Sequence, residues 1–174
     1  MRIIAGRLGG RIFDSPKTTK THPMSDKIRG ALFNILGDID GLTVLDAFSG
    51  TGALAFEALS RGAASAVLVE HDTAAQQVIR TNIVNLQLDA EATLAATSVN
   101  AWIVTHPMDR YDLVFCDPPY DDLQTAVLQQ LITLKKDDGL FVLSWPNSTE
   151  EPLFNGIKKV AHRSYGDAQL LFYC

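Results

Sequence analysis

Two short stretches hold residue types that could do chemistry together. In the first, Asp46-Ala47-Phe48-Ser49-Gly50-Thr51-Gly52, a carboxylate stands four residues ahead of a glycine pair, and Glu70 follows eighteen residues after Gly52. Glycines let the backbone turn tightly and approach a ligand, and a helix that follows offers free N–H groups. A carboxylate at the end of a neighbouring strand can accept both hydroxyls of a ribose. The second stretch, Asp117-Pro118-Pro119-Tyr120, ends the apolar run YDLVFC. It joins a carboxylate, a stiffened backbone and an aromatic face within four residues.

The first pattern alone leaves several readings open. A glycine pair with a later acid also suits NAD, and it is found where a strand merely packs tightly on a helix. A Walker phosphate loop lacks support, because no Gly-Lys-Ser/Thr follows. Asp46 separates the remaining ligands by charge. At a strand tip it would repel a pyrophosphate, whereas it suits a ligand carrying an ammonium and a sulfonium, both cationic. S-adenosylmethionine (SAM) is such a ligand.

The second pattern suits methylation of an exocyclic amine on a base. The nitrogen lone pair of such an amine is delocalised into the ring, so the amine is a poor nucleophile that needs geometric help. Asp117 can accept one N–H and the Pro118 carbonyl the other, which aims the nitrogen at a donor methyl. Pro118 and Pro119 hold both acceptors nearly fixed. Tyr120 offers a face for an extruded base, a stacking contact worth roughly 1 to 3 kcal/mol. A strand-ending turn with one packed aromatic would explain the tetrapeptide by itself, but not its pairing with the glycine loop and Glu70.

These residues need strands that end together. The chain reads as strand LTVLDAF, helix ALAFEALSR stopped by Gly62, a strand over 64–70, helix TAAQQVIRTNIVNL, strand YDLVFC, helix LQTAVLQQLITL and strand GLFVLSW. Continuous apolar strands alternating with helices predict an α/β fold with a mainly parallel sheet covered on both faces. The runs IKKVAHRSY and AQLLFYC, separated by Gly166 and Asp167, predict an antiparallel hairpin at one edge. Ahead of the core, MRII and GRIF flank a turn-rich segment and predict a basic β-hairpin. Ser25 is the expected N-cap of a helix with Ile28, Ala31, Leu32, Ile35 and Leu36 on its apolar stripe, ended by Gly37. Residues 87–110 are the least legible, with a short strand expected near Ala92 to Leu94.

Composition bounds the rest. At 174 residues and 47% hydrophobic, the chain suits one well-packed core with a small appendage. Its net charge of -5 conceals an asymmetry: residues 1–36 hold seven basic residues against two acidic ones, and residues 37–174 hold eight against eighteen. A basic arm facing a polyanion beside an acidic body is the expectation. Cys116 and Cys174 form no disulfide framework, and no Cys or His pair has metal-ligand spacing, so no metal and a reducing, cytoplasmic setting are expected. The sequence carries no signal-like start and no stretch of the ~18 apolar residues that crosses a bilayer.

The stretches MRIIAGRLGGR, THPMSDKIRGALFNIL, VLDAFSGTGALAFEALSRGA, VLVEHD and YDLVFCDPPY together resemble the RsmD family, bacterial guanine-N2 methyltransferases of small-subunit (16S) ribosomal RNA. The resemblance covers nearly the whole chain. It implies a Rossmann-like class I SAM methyltransferase with a seven-stranded, mainly parallel sheet, a C-terminal antiparallel hairpin and a small N-terminal hairpin. By that resemblance residues 1–24 are a basic RNA-binding arm and residues 25–174 the methyltransferase domain. Asp46 to Gly52, Glu70, Asn100 and Ala101 would hold SAM, and Asp117 to Tyr120 the guanine amine. Arg2, Arg7, Arg11, His22, Lys27 and Arg29 would meet RNA, in a monomer acting on ribosomal RNA within a small subunit or its assembly intermediate. The family commonly has an arginine where His22 stands and an aspartate where Asn100 stands. An amide oxygen still accepts from an adenine amino group, and His22 is largely neutral at pH 7.

Two readings lie outside the family. Adenine-N6 methyltransferases share Asp-Pro-Pro-Tyr, but those reading duplex DNA usually carry a recognition domain for which 174 residues leave no room. A SAM- or RNA-binding module without turnover is the other, and the intact tetrapeptide argues against it. His71, His106 and His162 are scattered and read as non-catalytic. Cys116 reads as a packing thiol, Trp102 and Trp145 as core or rim, and Lys135-Lys136 as a solvated helix end.

Overall fold

The computed structural model describes residues 1–16 and 24–174. Seven strands form one sheet in the order β3-β2-β1-β4-β5-β7-β6. They are β1 Thr43–Asp46, β2 Ser65–Glu70, β3 Ala92–Ala96, β4 Tyr111–Cys116, β5 Lys135–Pro146, β6 Lys159–Tyr165 and β7 Ala168–Tyr173. The first five run parallel and β7 runs antiparallel to both of its neighbours. The hairpin of β6 and β7 therefore closes one edge as expected, with its later strand inserted between β5 and β6.

Helices cover both faces, as near-continuous apolar strands require. On one face lie α1 (Asp26–Leu36), α2 (Ala53–Ser60) and α3 (Thr73–Leu86), packed on Val44, Ala66, Leu68, Leu113 and Phe115. On the other lie α4 (Val99–Thr105) and α5 (Thr125–Leu131), packed on Leu45, Val69, Val114 and Leu143. Ser25 caps α1 by accepting from Ile28 N at 3.3 Å, and Gly37 ends it with φ 72°. Sequence pattern gives no helix at α4, whose start is capped by Ser98 accepting from Ala101 N. Seven residues with one buried turn carry too short a period to be recognised.

All eight residues of α2 are buried, because the sheet covers one side and residues 1–13 cover the other. An all-apolar helix is stable only when enclosed in this way. Glu57 and Ser60 are its polar exceptions, and both serve the N-terminal segment. Glu57 accepts from Ile4 N (2.7 Å), Ala5 N (3.1 Å) and Arg61 Nε (2.7 Å). Ser60 Oγ accepts from Leu8 N and donates to Ala5 O, while its carbonyl accepts from Arg7 N at 2.7 Å. Gly6 lies so close to α2 that a Cβ there would stand 1.9 Å from Ser60 O.

Met1–Phe13 doubles back through a single antiparallel bridge between Arg2 and Ile12, short of the two paired strands expected, with Ile3 N donating to Arg11 O and Gly10 N to Ile3 O. Its Ile3, Leu8 and Phe13 belong to the main core. The arm is thus seated on α2. Lys17, Lys20 and His22 lie outside the described residues.

Two expectations are corrected. Arg29, expected on an RNA-facing surface, is fully buried. Its guanidinium donates to Arg2 O (2.6 Å) and Asp26 (2.8 Å) and stands 3.9 Å from Glu57, so it cannot reach a phosphate. Lys135 and Lys136, expected at a helix end, instead open β5 after a short 3₁₀ turn at Ile132–Leu134. Lys136 Nζ lies 2.9 Å from both oxygens of Asp112, which also accepts from Thr43 N and Oγ1. Against the cost of burial, those bonds hold the Asp112 carboxyl down at about 2 and tie β1, β4 and β5 together at their amino ends. Among the described residues, no helix is long and apolar enough to cross a membrane.

Candidate active site

In an open parallel sheet, ligands bind outside the carboxyl ends of the strands where the strand order reverses. Here the order reverses between β1 and β4. Asp46 is in register with Phe115 on β4 and with Leu68 on β2, so Asp46, Glu70 and Asp117 all emerge at one end of three adjacent strands. Parallel pairing brings together carboxyl groups that are up to 71 positions apart in sequence.

The loop after β1 is built by its own hydrogen bonds. Ala47 N donates to Phe115 O, Ser49 N to Val69 O, and Gly52 N to Ser49 O. Ser49 Oγ donates back to Asp46 O at 2.8 Å. Gly50 and Gly52 take φ of 51° and 77°, a conformation that side chains rarely adopt. A Cβ at Gly52 would stand 2.7 Å from the Phe56 ring. Ala47, Ser49 and Thr51 are buried, and Phe48 is half-buried against the α4 face. Glu70 accepts from Gly50 N (2.8 Å) through one oxygen and from Asp72 N (2.7 Å) through the other, which sets its carboxylate against the glycine loop.

Asp46 is the side chain left incompletely satisfied. It is 1% exposed, one oxygen accepts from Ala55 N at 3.3 Å, and Oδ1 is buried without a partner. Burial, with Asp117 and Glu70 nearby, pushes its carboxyl up to about 7. An orphaned buried oxygen among acids is a site for a cation or a hydrogen-bond donor. The residues present therefore fit a ligand with an ammonium group. Ionised Asp46 destabilises the free protein as pH rises from the ordinary carboxylate range through about 7, and a cationic ligand offsets that cost.

A pH dependence follows. Such a ligand pairs with ionised Asp46, so affinity is lost as pH falls through about 7. SAM binding followed by calorimetry should weaken roughly fivefold from pH 7 to pH 6, and Asp46→Asn should flatten that dependence. Equal affinities at the two pH values in the unsubstituted protein would remove Asp46 from the ligand.

Asp117 follows β4 directly. Burial pushes its carboxyl up to about 6, and a hydrogen bond from Ser144 acts in the opposite direction. Pro118 is buried, Pro119 is exposed, and Pro119 O accepts from Asp122 N at 3.0 Å, which turns the chain after the tetrapeptide. Tyr120 is 42% exposed and its hydroxyl lies 3.1 Å from Ser144 Oγ. Sequence reasoning misses Ser144, since one serine in an apolar strand looks like an ordinary interruption. Only the pairing of Cys116 with Leu143 shows that it ends up level with Asp117.

The other expected residues are placed as follows. Asn100 and Ala101 stand exposed in the first turn of α4. Arg2, Arg11 and Lys27 are exposed, and Arg7 is half-exposed and pairs with Glu91. Trp102 and Trp145 are buried in the core of the α4 face, Trp102 stacked on His106 and Trp145 donating to Glu150 O. Cys116 is 2% exposed, and burial drives its thiol well above the usual range, as a packing thiol requires.

A sheet in this order, with an acid-and-glycine loop after β1 and Asp-Pro-Pro-Tyr after β4, defines a class I SAM-dependent methyltransferase. The family model described as conserved hypothetical protein 95 matches residues 1–174. Ribosomal RNA small subunit methyltransferase D of Escherichia coli is 32% identical over 161 residues, covering 92% of this chain and 79% of that protein. The Bacillus subtilis protein YlbH is 31% identical over 160 residues, 87% of this chain and 86% of its own. Among solved structures, the Escherichia coli yhhF protein superposes with a TM-score of 0.84 at 29% identity, over 99% of this chain and 96% of that one. A Thermus thermophilus protein gives 0.83 at 28% identity, over 99% and 98%. The chain belongs to the RsmD family of methyltransferases.

Proposed function

We propose that the protein transfers a methyl group from SAM to the exocyclic N2 amine of a guanine in small-subunit (16S) ribosomal RNA. The observation that carries this reading is the convergence of Asp46, Glu70 and Asp117 at the reversal between β1 and β4, with Tyr120 open beside them. The bound cofactor supplies an electrophilic methyl on a sulfonium. Asp46 would pair with its ammonium, the Gly50 and Gly52 backbone would let it approach, and Glu70 would accept its ribose hydroxyls. Asn100 and Ala101 would border its adenine.

The protein's own work is orientation. Asp117 and the Pro118 carbonyl accept the two amine protons, and Pro118 and Pro119 restrict the backbone that carries them. Asp117 is the stronger acceptor, and can later take up a proton, when ionised, so transfer should fall as pH drops through about 6. Tyr120 stacks the flipped base. As the methyl would pass from sulfur to nitrogen, the S–C bond breaking to leave a neutral thioether, the amine gains the unit of positive charge that the sulfonium loses, and the acidic surroundings of Asp46, Glu70 and Asp117 stabilise that charge. The excess proton then leaves to Asp117 or to water.

Arg2, Arg7, Arg11 and Lys27 are the proposed RNA contacts of the arm, in a monomeric, cytoplasmic enzyme acting on ribosomal RNA in a small subunit or an assembly intermediate. Because residues 1–13 are seated on α2, Arg2, Arg7 and Arg11 have a fixed relation to the site, and Lys27 is carried by α1. Replacing Arg7 and Arg11 with Ala should weaken RNA binding and flatten its salt dependence by roughly one slope unit per lost phosphate contact. An unchanged slope, measured by filter binding across salt concentrations, would place the footprint elsewhere.

The direct test uses radiolabelled SAM with undermethylated small ribosomal subunits, naked ribosomal RNA and duplex DNA, followed by nucleoside analysis. N2-methylguanosine in the ribosomal material is the expected product. N6-methyladenine in DNA would overturn the substrate while leaving the amine-positioning geometry intact. SAM binding without labelling of any of the three would favour a module without turnover.

A further inference from the structure

We propose that Ser144 is a positioning residue for methyl transfer: its hydroxyl bridges the Tyr120 hydroxyl and the Asp117 carboxylate and holds both in place for the substrate amine. The inference rests on the amine-methylation reading above and adds a residue from β5 to it.

Ser144 is 5% exposed, and its Oγ lies 3.1 Å from the Tyr120 hydroxyl. Leu143 is in register with Cys116, so the next residues on the two strands, Ser144 and Asp117, come level at the carboxyl edge, which brings the Ser144 hydroxyl near enough to the Asp117 carboxyl to favour its ionised form. One serine proton cannot serve both partners. Ionised Asp117 only accepts, so Ser144 donates to it and in turn accepts from Tyr120. That direction makes an ordered chain, Tyr120 to Ser144 to Asp117. A buried hydroxyl is costly to leave unpaired, so the chain resists rearrangement.

The chain has two consequences. Tyr120 is pinned at both ends, through its backbone after Pro119 and through its hydroxyl, while its ring face stays open. Asp117 is favoured in its ionised, accepting form by that same hydrogen bond. The groups facing this cluster are all acids: Asp46 at the end of β1, Glu70 at the end of β2, Cys116 on β4, and Asp167 in the β6–β7 turn acting on Tyr120. The carboxylates oppose ionisation of the groups beside them, Cys116 stays a neutral thiol, and the Ser144 hydroxyl favours ionisation at Asp117.

The test compares Ser144→Ala, Ser144→Thr and Tyr120→Phe with the unsubstituted protein. It reads kcat and KM on undermethylated small ribosomal subunits across pH, with SAM affinity by calorimetry and Asp117 titration by carbon-13 NMR of the free protein. Ser144→Ala should lower kcat about tenfold or more at neutral pH, as a misplaced positioning group does. It should leave SAM affinity unchanged and move the acid limb of kcat, and the Asp117 titration, to higher pH. Ser144→Thr should restore both, and Tyr120→Phe should cost rate with a smaller movement of the limb. A Ser144→Ala protein with unchanged Asp117 titration, or with a rate loss that tracks only a lower melting temperature, would overturn the proposal. The titration is independent of substrate, so a different methylated base would fail the guanine reading without deciding this one.

Discussion

Asp117→Ala should lower kcat for methyl transfer by two to three orders of magnitude, about the cost of deleting one preorganised group at a reacting centre. Its carboxylate ends β4 beside the glycine loop and is the charged acceptor proposed for the substrate amine. SAM affinity should stay within about threefold, because Asp46, one oxygen of which is buried and unpaired, remains to meet the ammonium. Loss of kcat with SAM binding retained separates amine positioning from cofactor binding. Single-turnover rates and calorimetry on the same preparation make that separation. A rate within a fewfold of the unsubstituted protein would mean that Asp117 does not hold the amine, and equal loss of SAM affinity would move it to the cofactor.

The second large effect is on stability and lies far from the reacting atoms. Glu57→Ala should destabilise the protein by about 3 to 5 kcal/mol, the cost of stranding a buried charge and its donors. Glu57 is fully buried and accepts from Ile4 N, Ala5 N and Arg61 Nε, with Arg29 Nε at 3.9 Å. Removal leaves two backbone donors without partners and Arg29 buried with Asp26 as its remaining carboxylate. For a chain of this size the melting temperature should fall by roughly 6 to 20 °C. Trypsin should also cut at Arg7 and Arg11 sooner, because the arm loses its seat on α2. Glu57→Gln keeps the acceptor oxygen and should cost less. A melting temperature within a degree or two of the unsubstituted protein would show that the arm is held by its apolar residues alone.

Seating the arm on α2 links RNA contact to the cofactor loop. α2 begins immediately after Gly52, so the helix that receives the basic hairpin also forms the far side of the glycine turn. The all-buried character of α2 follows from that double duty.

Local pattern by itself determined much of this protein. Apolar runs of four to six residues marked β1, β2 and β4, and the run TAAQQVIRTNIVNL marked α3 from Thr73 to Leu86, whose Asp72 cap the structure then shows. Caps and stops at Ser25, Gly37 and Gly62 were legible because they depend on neighbours within a few positions. The Asp46 loop, Glu70 and Asp117 to Tyr120 were legible as chemistry because each requires particular residue types at short spacing.

Tertiary structure decided what depends on partners distant in sequence. Helix α4 is too short to carry a period, and the early start of β5 depends on pairing with β4 across a bulge between Tyr111 and Leu113. Arg29 reads as a surface cation because charge normally stays in water, but the arm closes over it and supplies carbonyl and carboxylate partners. Glu57 reads as one acid in a helix until the hairpin gives it two backbone amides. Ser144 acquires its place from the register of two strands. Spacing along a chain records which groups are near in sequence. Only the pairing of strands and the covering of helix faces bring distant groups together, and the burial that comes with it is what raises the Asp46 and Asp117 carboxyls toward neutrality.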